Sequence, residues 1–198
     1  RGRVVFPSGG PEGANWPIRA AAELGRRRGK HIITTAVEHA AVLESCKALE
    51  REGWEVTYLK PDRQGNIAPE QVEQALREDT VLVSMMLVNN ELGTVSPVAR
   101  AAELVHRNSR ALFHCDGVQG FLKVPFTARE LGADLLTVSG HKVHAPKGVG
   151  ALYIREGLKL PPLIRGGGQE EGLRSGTEAT AQIAAFAAAV EEGLAERE

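Results

Sequence analysis

A chain of 198 residues is long enough for one stable core or a little more. A formal net charge of −1 excludes a global basic field for nucleic acid or an anionic membrane. No apolar run reaches the ~18 residues that read as a membrane-spanning helix, so neither nucleic acid nor membrane is an expected partner.

The elements follow in chain order. The start, Arg1 to Phe6, runs into an apolar stretch without the layout of a signal peptide. Val4–Phe6 is the first short apolar run, and Ser8-Gly9-Gly10 follows it. Asn15 can cap a helix that starts at Trp16, with Pro17 in its first turn. Arg26-Arg27-Arg28 suits the solvated end of a helix. The run Ile32–Thr35 precedes Glu38-His39, after which Val42, Cys46 and Leu49 share one helical face. Val56–Leu59 is the next run, and Val72, Ala75 and Leu76 mark the next helix. Val81–Leu87 leads to Asn89-Asn90-Glu91, and Ala101, Leu104 and Val105 share a further helical face. Leu112–Phe113 leads to His114-Cys115-Asp116 and Gln119, and Leu135–Val138 to Ser139-Gly140-His141-Lys142. Lys147-Gly148 is a turn before the strand Val149–Ile154, and Gly166–Gly168 with Gln169 and Glu170 is a loop. Ile183, Phe186, Ala187, Val190 and Leu194 give the last helix its stripe, and the polar end Glu191 to Glu198 is expected to fray. Trp16 and Trp54 are expected in packing roles.

Alternating apolar runs and helical patterns predict an α/β fold with a largely parallel sheet. The 22 glycines suggest many tight turns or close backbone approaches. Cys46 and Cys115 are far apart and form no CxxC pair, which argues against a disulfide framework and for a reducing, cytoplasmic setting. Cys46 belongs to an apolar helical stripe and reads as core filler. No metal site is expected.

In open α/β sheets, ligands bind outside the carboxyl ends of the strands. Five such ends carry compact polar clusters here. Each alone has an ordinary explanation: a lone His39 is most often a cap or a packed ring, and a lone Lys142 a solvated side chain. Five on one predicted edge point to a ligand. Lysine can form a Schiff base. Asp116, at another strand end, could pair with a pyridinium nitrogen, as proteins do when they use pyridoxal phosphate. His39 could stack on a flat ring and move a proton. Asn90 and Gln119 could hydrogen-bond a phenolic oxygen, and Ser139, His141 and the Gly9-Gly10 turn could bind phosphate. If Asp116 faces the ligand, strand alternation turns Cys115 away.

The motifs Glu38-His39-Ala40-Ala41-Val42, Asn89-Asn90-Glu91-Leu92-Gly93-Thr94, Asp116-Gly117-Val118-Gln119, Ser139-Gly140-His141-Lys142 and Arg174-Ser175-Gly176-Thr177-Glu178 occur in the order seen in cysteine desulfurases. The chain resembles that family from about Val4 to about Val190. The resemblance implies the large domain of the class V aminotransferase fold, a three-layer α/β sandwich with a mostly parallel sheet. It implies that Lys142 carries pyridoxal 5'-phosphate, that Asp116 pairs the ring nitrogen and that His39 stacks on the ring. Asn90 and Gln119 would contact the ring oxygen, and Gly10, Ser139, Gly140 and His141 the phosphate. Thr177 would reach the phosphate of a partner subunit in a homodimer. The implied reaction takes sulfur from L-cysteine, leaves L-alanine and parks the sulfur as a persulfide. An iron–sulfur scaffold or a tRNA-thiolation protein would then accept it.

The chain departs from the family in two ways. Family members are about twice as long, so residues 1–198 are expected to be an incomplete large domain. The small C-terminal domain, the persulfide cysteine and the substrate arginine would then lie elsewhere, and the chain alone would be inactive. Pro11 stands where the family usually has threonine, and it supplies neither a hydroxyl nor an N–H. Either the helix start moves away from the phosphate, or the remaining groups suffice. The competing functions are a non-catalytic cofactor-binding or dimerisation module, and a selenocysteine lyase or other class V lyase.

Overall fold

A computed structural model describes residues 2–196; Arg1, and Arg197 and Glu198 of the expected frayed end, lie outside the described residues. The elements are β1 (Gly2–Val5), α1 (Gly10–Gly25), β2 (His31–Thr35), α2 (Ala40–Arg51), β3 (Glu55–Leu59) and α3 (Pro69–Ala75). They continue with β4 (Thr80–Met86), α4 (Val98–Asn108), β5 (Leu112–Asp116), β6 (Leu135–Ser139), β7 (Gly150–Arg155) and α5 (Thr180–Ala195). One sheet runs β1-β7-β6-β5-β4-β2-β3. Strands β3, β2, β4, β5 and β6 are parallel, and β7 is antiparallel to both of its neighbours.

The continuous apolar runs follow from burial on both faces. Every residue of β4 is buried. Its Leu82 packs with Ile18, Val42 and Leu49 of α1 and α2. Val83 and Met85 pack with Val72, Ala101 and Val105 of α3 and α4. Two helical layers therefore sandwich the sheet. The last helix holds less of its expected stripe: Phe186 is buried, but Leu194 is 50% exposed. Among the described residues, no helix is long and apolar enough to cross a membrane.

Helix α1 corrects the expected cap. It starts at Gly10, six residues before Trp16, with Gly9 as N-cap at φ 149°, a conformation that side chains disfavour. Asn15 lies inside the helix and donates from Nδ2 to Pro11 O (2.7 Å) and Ala41 O (3.3 Å). Pro11 falls in the first turn, where an N–H has no helical partner. Pro17 lies deeper and cannot donate to the carbonyl of Gly13. Thr137 Oγ1 of β6 donates to that carbonyl instead, at 2.6 Å. The approach is so close that a Cβ on Gly13 would lie 2.7 Å from Thr137 Cγ2. The glycine and the threonine together seat α1 on the sheet.

Candidate functional site

Chain order places a switch point between β2 and β4. From β2 the chain goes through α2 on one face of the sheet, and from β4 through α4 on the other. A crevice opens where neighbouring strands diverge in this way. Nine of the eleven residues singled out in the sequence line one cavity of about 370 Å³ at these strand ends. They are Gly10, Pro11, His39, Asn90, Asp116, Gln119, Ser139, His141 and Lys142, with Ala41, Met86 and Val118 completing the wall.

Asp116 is the last residue of β5 and is buried. Val118 N–H donates to its Oδ1 (3.0 Å). Burial pushes the carboxyl above its ordinary range, and the Val118 bond and nearby His39 partly oppose this. Alternation along β5 sends Cys115 into the core with Val83 and Phe113. Cys46 is buried in the opposite layer. Burial pushes the Cys46 thiol up to about 12 and the Cys115 thiol well above its ordinary value.

His39 caps α2: its Nδ1 accepts from Ala41 N–H (3.1 Å), which leaves Nε2 to carry the proton of a neutral ring. The capping explanation thus holds together with a place in the cavity wall. Lys142 and His141 lie in a 3-10 turn directly after β6, with their side chains exposed. The exposure of Lys142 leaves it open to a ligand. Gly10 N–H donates to Ser139 Oγ (3.3 Å), and Ser139 Oγ lies 2.9 Å from His141 Nδ1. Burial, with Lys142 and Lys147 adding to it, lowers the His141 pKa. The imidazole tautomer of His141 sets which of the two donates in the Ser139 contact.

Two of the eleven stand elsewhere. Gly140 is buried, its N–H donates to Val149 O (3.0 Å), and it does not line the cavity. Thr177 is exposed on the loop before α5, outside the cavity. The start of that loop is tied to α1 through Arg174. Its Nε donates to Glu12 Oε1 (2.8 Å) and its Nη2 to Glu12 Oε2 (3.1 Å), in the first turn of α1. Burial pushes Glu12 up, but Arg174 and Ser8 N–H outweigh it and hold the carboxyl below its ordinary range.

Three supporting groups were not singled out as site residues. Asn89 Oδ1 accepts from Glu91 N–H (2.9 Å) and Leu92 N–H (2.8 Å), and Nδ2 donates to Val37 O (3.0 Å). It staples the Asn90 turn to the turn that carries His39. His114 links Ser84 (2.8 Å) to Thr137 (2.9 Å) inside the sheet. Thr137 gives its only proton to Gly13, so His114 donates from Nε2 and accepts from Ser84 at Nδ1. Burial pushes His114 down to about 3, so it stays neutral. Glu38 is the third. Each is part of a motif or a strand, but its role depends on residues distant in sequence.

The donor set fits a phosphorylated, flat aldehyde with a basic ring nitrogen. A helix N-terminus with Ser139 and His141 suits the phosphate. A buried carboxylate suits a protonated ring nitrogen, and Lys142 suits the aldehyde. Among the described residues no group of three or more His, Cys, Asp or Glu could hold a metal.

Known proteins share this fold. The family described as Aminotransferase class-V matches residues 1–193. The cysteine desulfurase IscS of Methanosarcina thermophila is 46% identical over 195 residues, 98% of this chain and 48% of that protein. A solved NifS-like protein superposes with a TM-score of 0.94 at 43% identity, covering 98% of this chain and 53% of that one. A structure described as SspA in complex with cysteine gives 0.90 at 43% identity, covering 95% and 55%. The chain spans about half the length of the curated relatives it matches. It belongs to the class V aminotransferase family.

Proposed function

We propose that the protein carrying this sequence is a pyridoxal-phosphate-dependent cysteine desulfurase that takes sulfur from L-cysteine and releases L-alanine. The observation that carries this reading is the convergence of Lys142, Asp116 and His39 on one cavity that also receives the N-terminus of α1. When bound, the cofactor supplies an electron sink for the substrate's α-carbon. With that cofactor bound, Lys142 would hold it at its aldehyde, and Asp116 would keep a proton on its ring nitrogen. His39, its tautomer fixed by Ala41 N–H, would stack on the ring. Gln119 Oε1 is engaged by Lys123 Nζ (3.0 Å), so the Gln119 amide N–H remains, with Asn90, for the ring oxygen. Gly10, Ser139 and His141 would hold the phosphate, and Pro11 adds wall without a donor.

Thr177, exposed and away from its own chain's cavity, serves the phosphate of a second copy, so the enzyme is a homodimer. In the reaction the carbon–sulfur bond of cysteine breaks, a thiolate takes the sulfur as a persulfide, and a proton replaces it on carbon. Burial of Cys46 and Cys115 supports a persulfide cysteine outside these 198 residues. The sulfur then passes, in the cytoplasm, to an acceptor protein, an iron–sulfur scaffold or a tRNA-thiolation protein. The relative solved with cysteine supports the substrate.

Borohydride reduction of the loaded protein followed by peptide mapping tests the reading. The adduct is expected on Lys142. An adduct on Lys147, or none, overturns it.

A further inference from the structure

Glu38 turns its side chain from the His39 turn under Met86 of the cavity wall. It is 5% exposed. Its Oε1 accepts from Thr35 Oγ1 (2.8 Å) and from Met86 N–H (2.8 Å). Met86 ends β4, lies opposite Asp116 in register and lines the cavity. One oxygen of Glu38 thus links the turn that carries His39 to the strand beside Asp116. The other, Oε2, is buried without a hydrogen-bond partner.

The titratable groups that face Glu38 offer no positive charge. They are Asp116 and Cys115 from β5 and Cys46 from α2. His39 lowers the pKa of Asp116 and has no such influence on Glu38. An ionised Glu38 would leave a buried charge without a counter-ion beside a second carboxylate, which costs far more than holding a proton. Two neighbouring acids in unequal surroundings separate into one neutral and one charged group. Asp116 has a backbone N–H donor, the cavity and His39. Glu38 has a sealed oxygen.

We propose that Glu38 is a positioning residue that works as a neutral acid: it ties the His39 turn to β4 and leaves Asp116 as the only negative charge of the cavity floor. The value of that single charge to the cofactor rests on the function proposed above; the protonation of Glu38 does not. Burial, with the Asp116 charge adding to it, pushes the Glu38 carboxyl up to about 8.

Two substitutions test this in the intact protein. Glu38→Gln copies the neutral acid, and Glu38→Ala removes the link. The first measurement is urea unfolding of the cofactor-free protein between pH 5.5 and about 7.5. Folded Glu38 keeps a proton that the unfolded chain loses above about pH 4.5, so the wild-type folding constant should fall, relative to Glu38→Gln, by about tenfold per pH unit. The second is the pyridoxal phosphate dissociation constant and the absorbance of the bound cofactor at pH 7. Glu38→Gln should match the wild type within about twofold, and Glu38→Ala should bind about tenfold or more weakly, the size of one lost hydrogen bond to a buried turn. Parallel pH–stability curves for wild type and Glu38→Gln overturn the neutral acid. So does a Glu38→Gln protein that fails to fold, or that binds cofactor as weakly as Glu38→Ala. If the wild type binds no pyridoxal phosphate, the proposed function fails, while the cofactor-free pH comparison still decides the state of Glu38.

Discussion

Thr137→Val is expected to be among the most damaging single changes outside the cavity. Pro17 has no N–H, so the carbonyl of Gly13 lacks its helical partner, and Thr137 Oγ1 supplies one at 2.6 Å. The same hydroxyl accepts from His114 Nε2 (2.9 Å). Both Thr137 and His114 are fully buried. Valine keeps the shape and removes the oxygen, leaving two buried polar groups unpaired at about 1–3 kcal/mol each, so the loss should be about 2–6 kcal/mol. Thr137→Ser keeps the oxygen and should lose only the packing of one methyl, about 1 kcal/mol. Urea unfolding of the intact protein measures both. The decisive arm is Pro17→Ala, which restores an N–H aimed at Gly13 O. In the Thr137→Val background it should recover about 0.5–1.5 kcal/mol beyond its effect in the wild type, a coupling that a double-mutant cycle resolves. A Thr137→Val loss under about 1 kcal/mol, or purely additive effects with Pro17→Ala, would refute the claim that Thr137 replaces the missing helical bond.

Further outcomes follow from the same structure. Arg174→Leu should cost about 1.5–3 kcal/mol, the value of charge-assisted hydrogen bonds, because the pair with Glu12 is largely covered. Glu12 has a depressed folded pKa, so its contribution is present above the unfolded pKa of 4.5 and lost as pH falls through the folded value. The acid-unfolding midpoint of Arg174→Leu should therefore lie at higher pH than that of the wild type, and an unchanged midpoint would count against the pair. Pro11→Thr should tighten cofactor binding about tenfold to a hundredfold by restoring an N–H and a hydroxyl at the start of α1, measured as slower cofactor release. Equal release rates would mean that Gly10, Ser139 and His141 already satisfy the phosphate. Cys46 and Cys115 should resist iodoacetamide at pH 8 until denaturant is added, because burial keeps both as thiols; rapid native labelling of either would contradict its placement.

The cavity was legible in the sequence wherever chemistry coincided with a strand end. Asp116, His39, Asn90 and Lys142 each follow or end an apolar run, and parallel α/β topology brings such positions to one edge. What sequence could not reveal were partners formed across strands. Asn15 has a capping residue's chemistry, but Gly9 and Gly10 start the helix earlier, because Thr137 makes Pro17 tolerable inside it. Nothing local to Pro17 reports a threonine on a strand more than a hundred residues away. Gly140 belongs to a phosphate-like cluster, but its N–H goes to Val149, just before β7, a contact set by the antiparallel return of the chain. The α5 stripe reads as core by period, whereas only Phe186 of that stripe is buried.

The supporting residues also explain why the cavity can hold opposite charges at its two ends. The phosphate end needs free N–H groups and a fixed helix axis. Gly9 gives the helix its start, and the Ser84–His114–Thr137–Gly13 chain holds the axis without placing a charge inside the sheet, since burial keeps His114 neutral. The ring end needs one carboxylate. A second carboxylate in the ionised state would raise the pKa of Asp116 further and weaken its hold on charge at neutral pH. Glu38 removes that conflict by keeping its proton while its Oε1 still binds Thr35 and Met86. Both supports use a titratable side chain in its neutral form. Placing His114 and Glu38 out of solvent therefore lets the charges of the cavity be confined to groups that reach its surface: Asp116 on the floor and Lys142 on the wall.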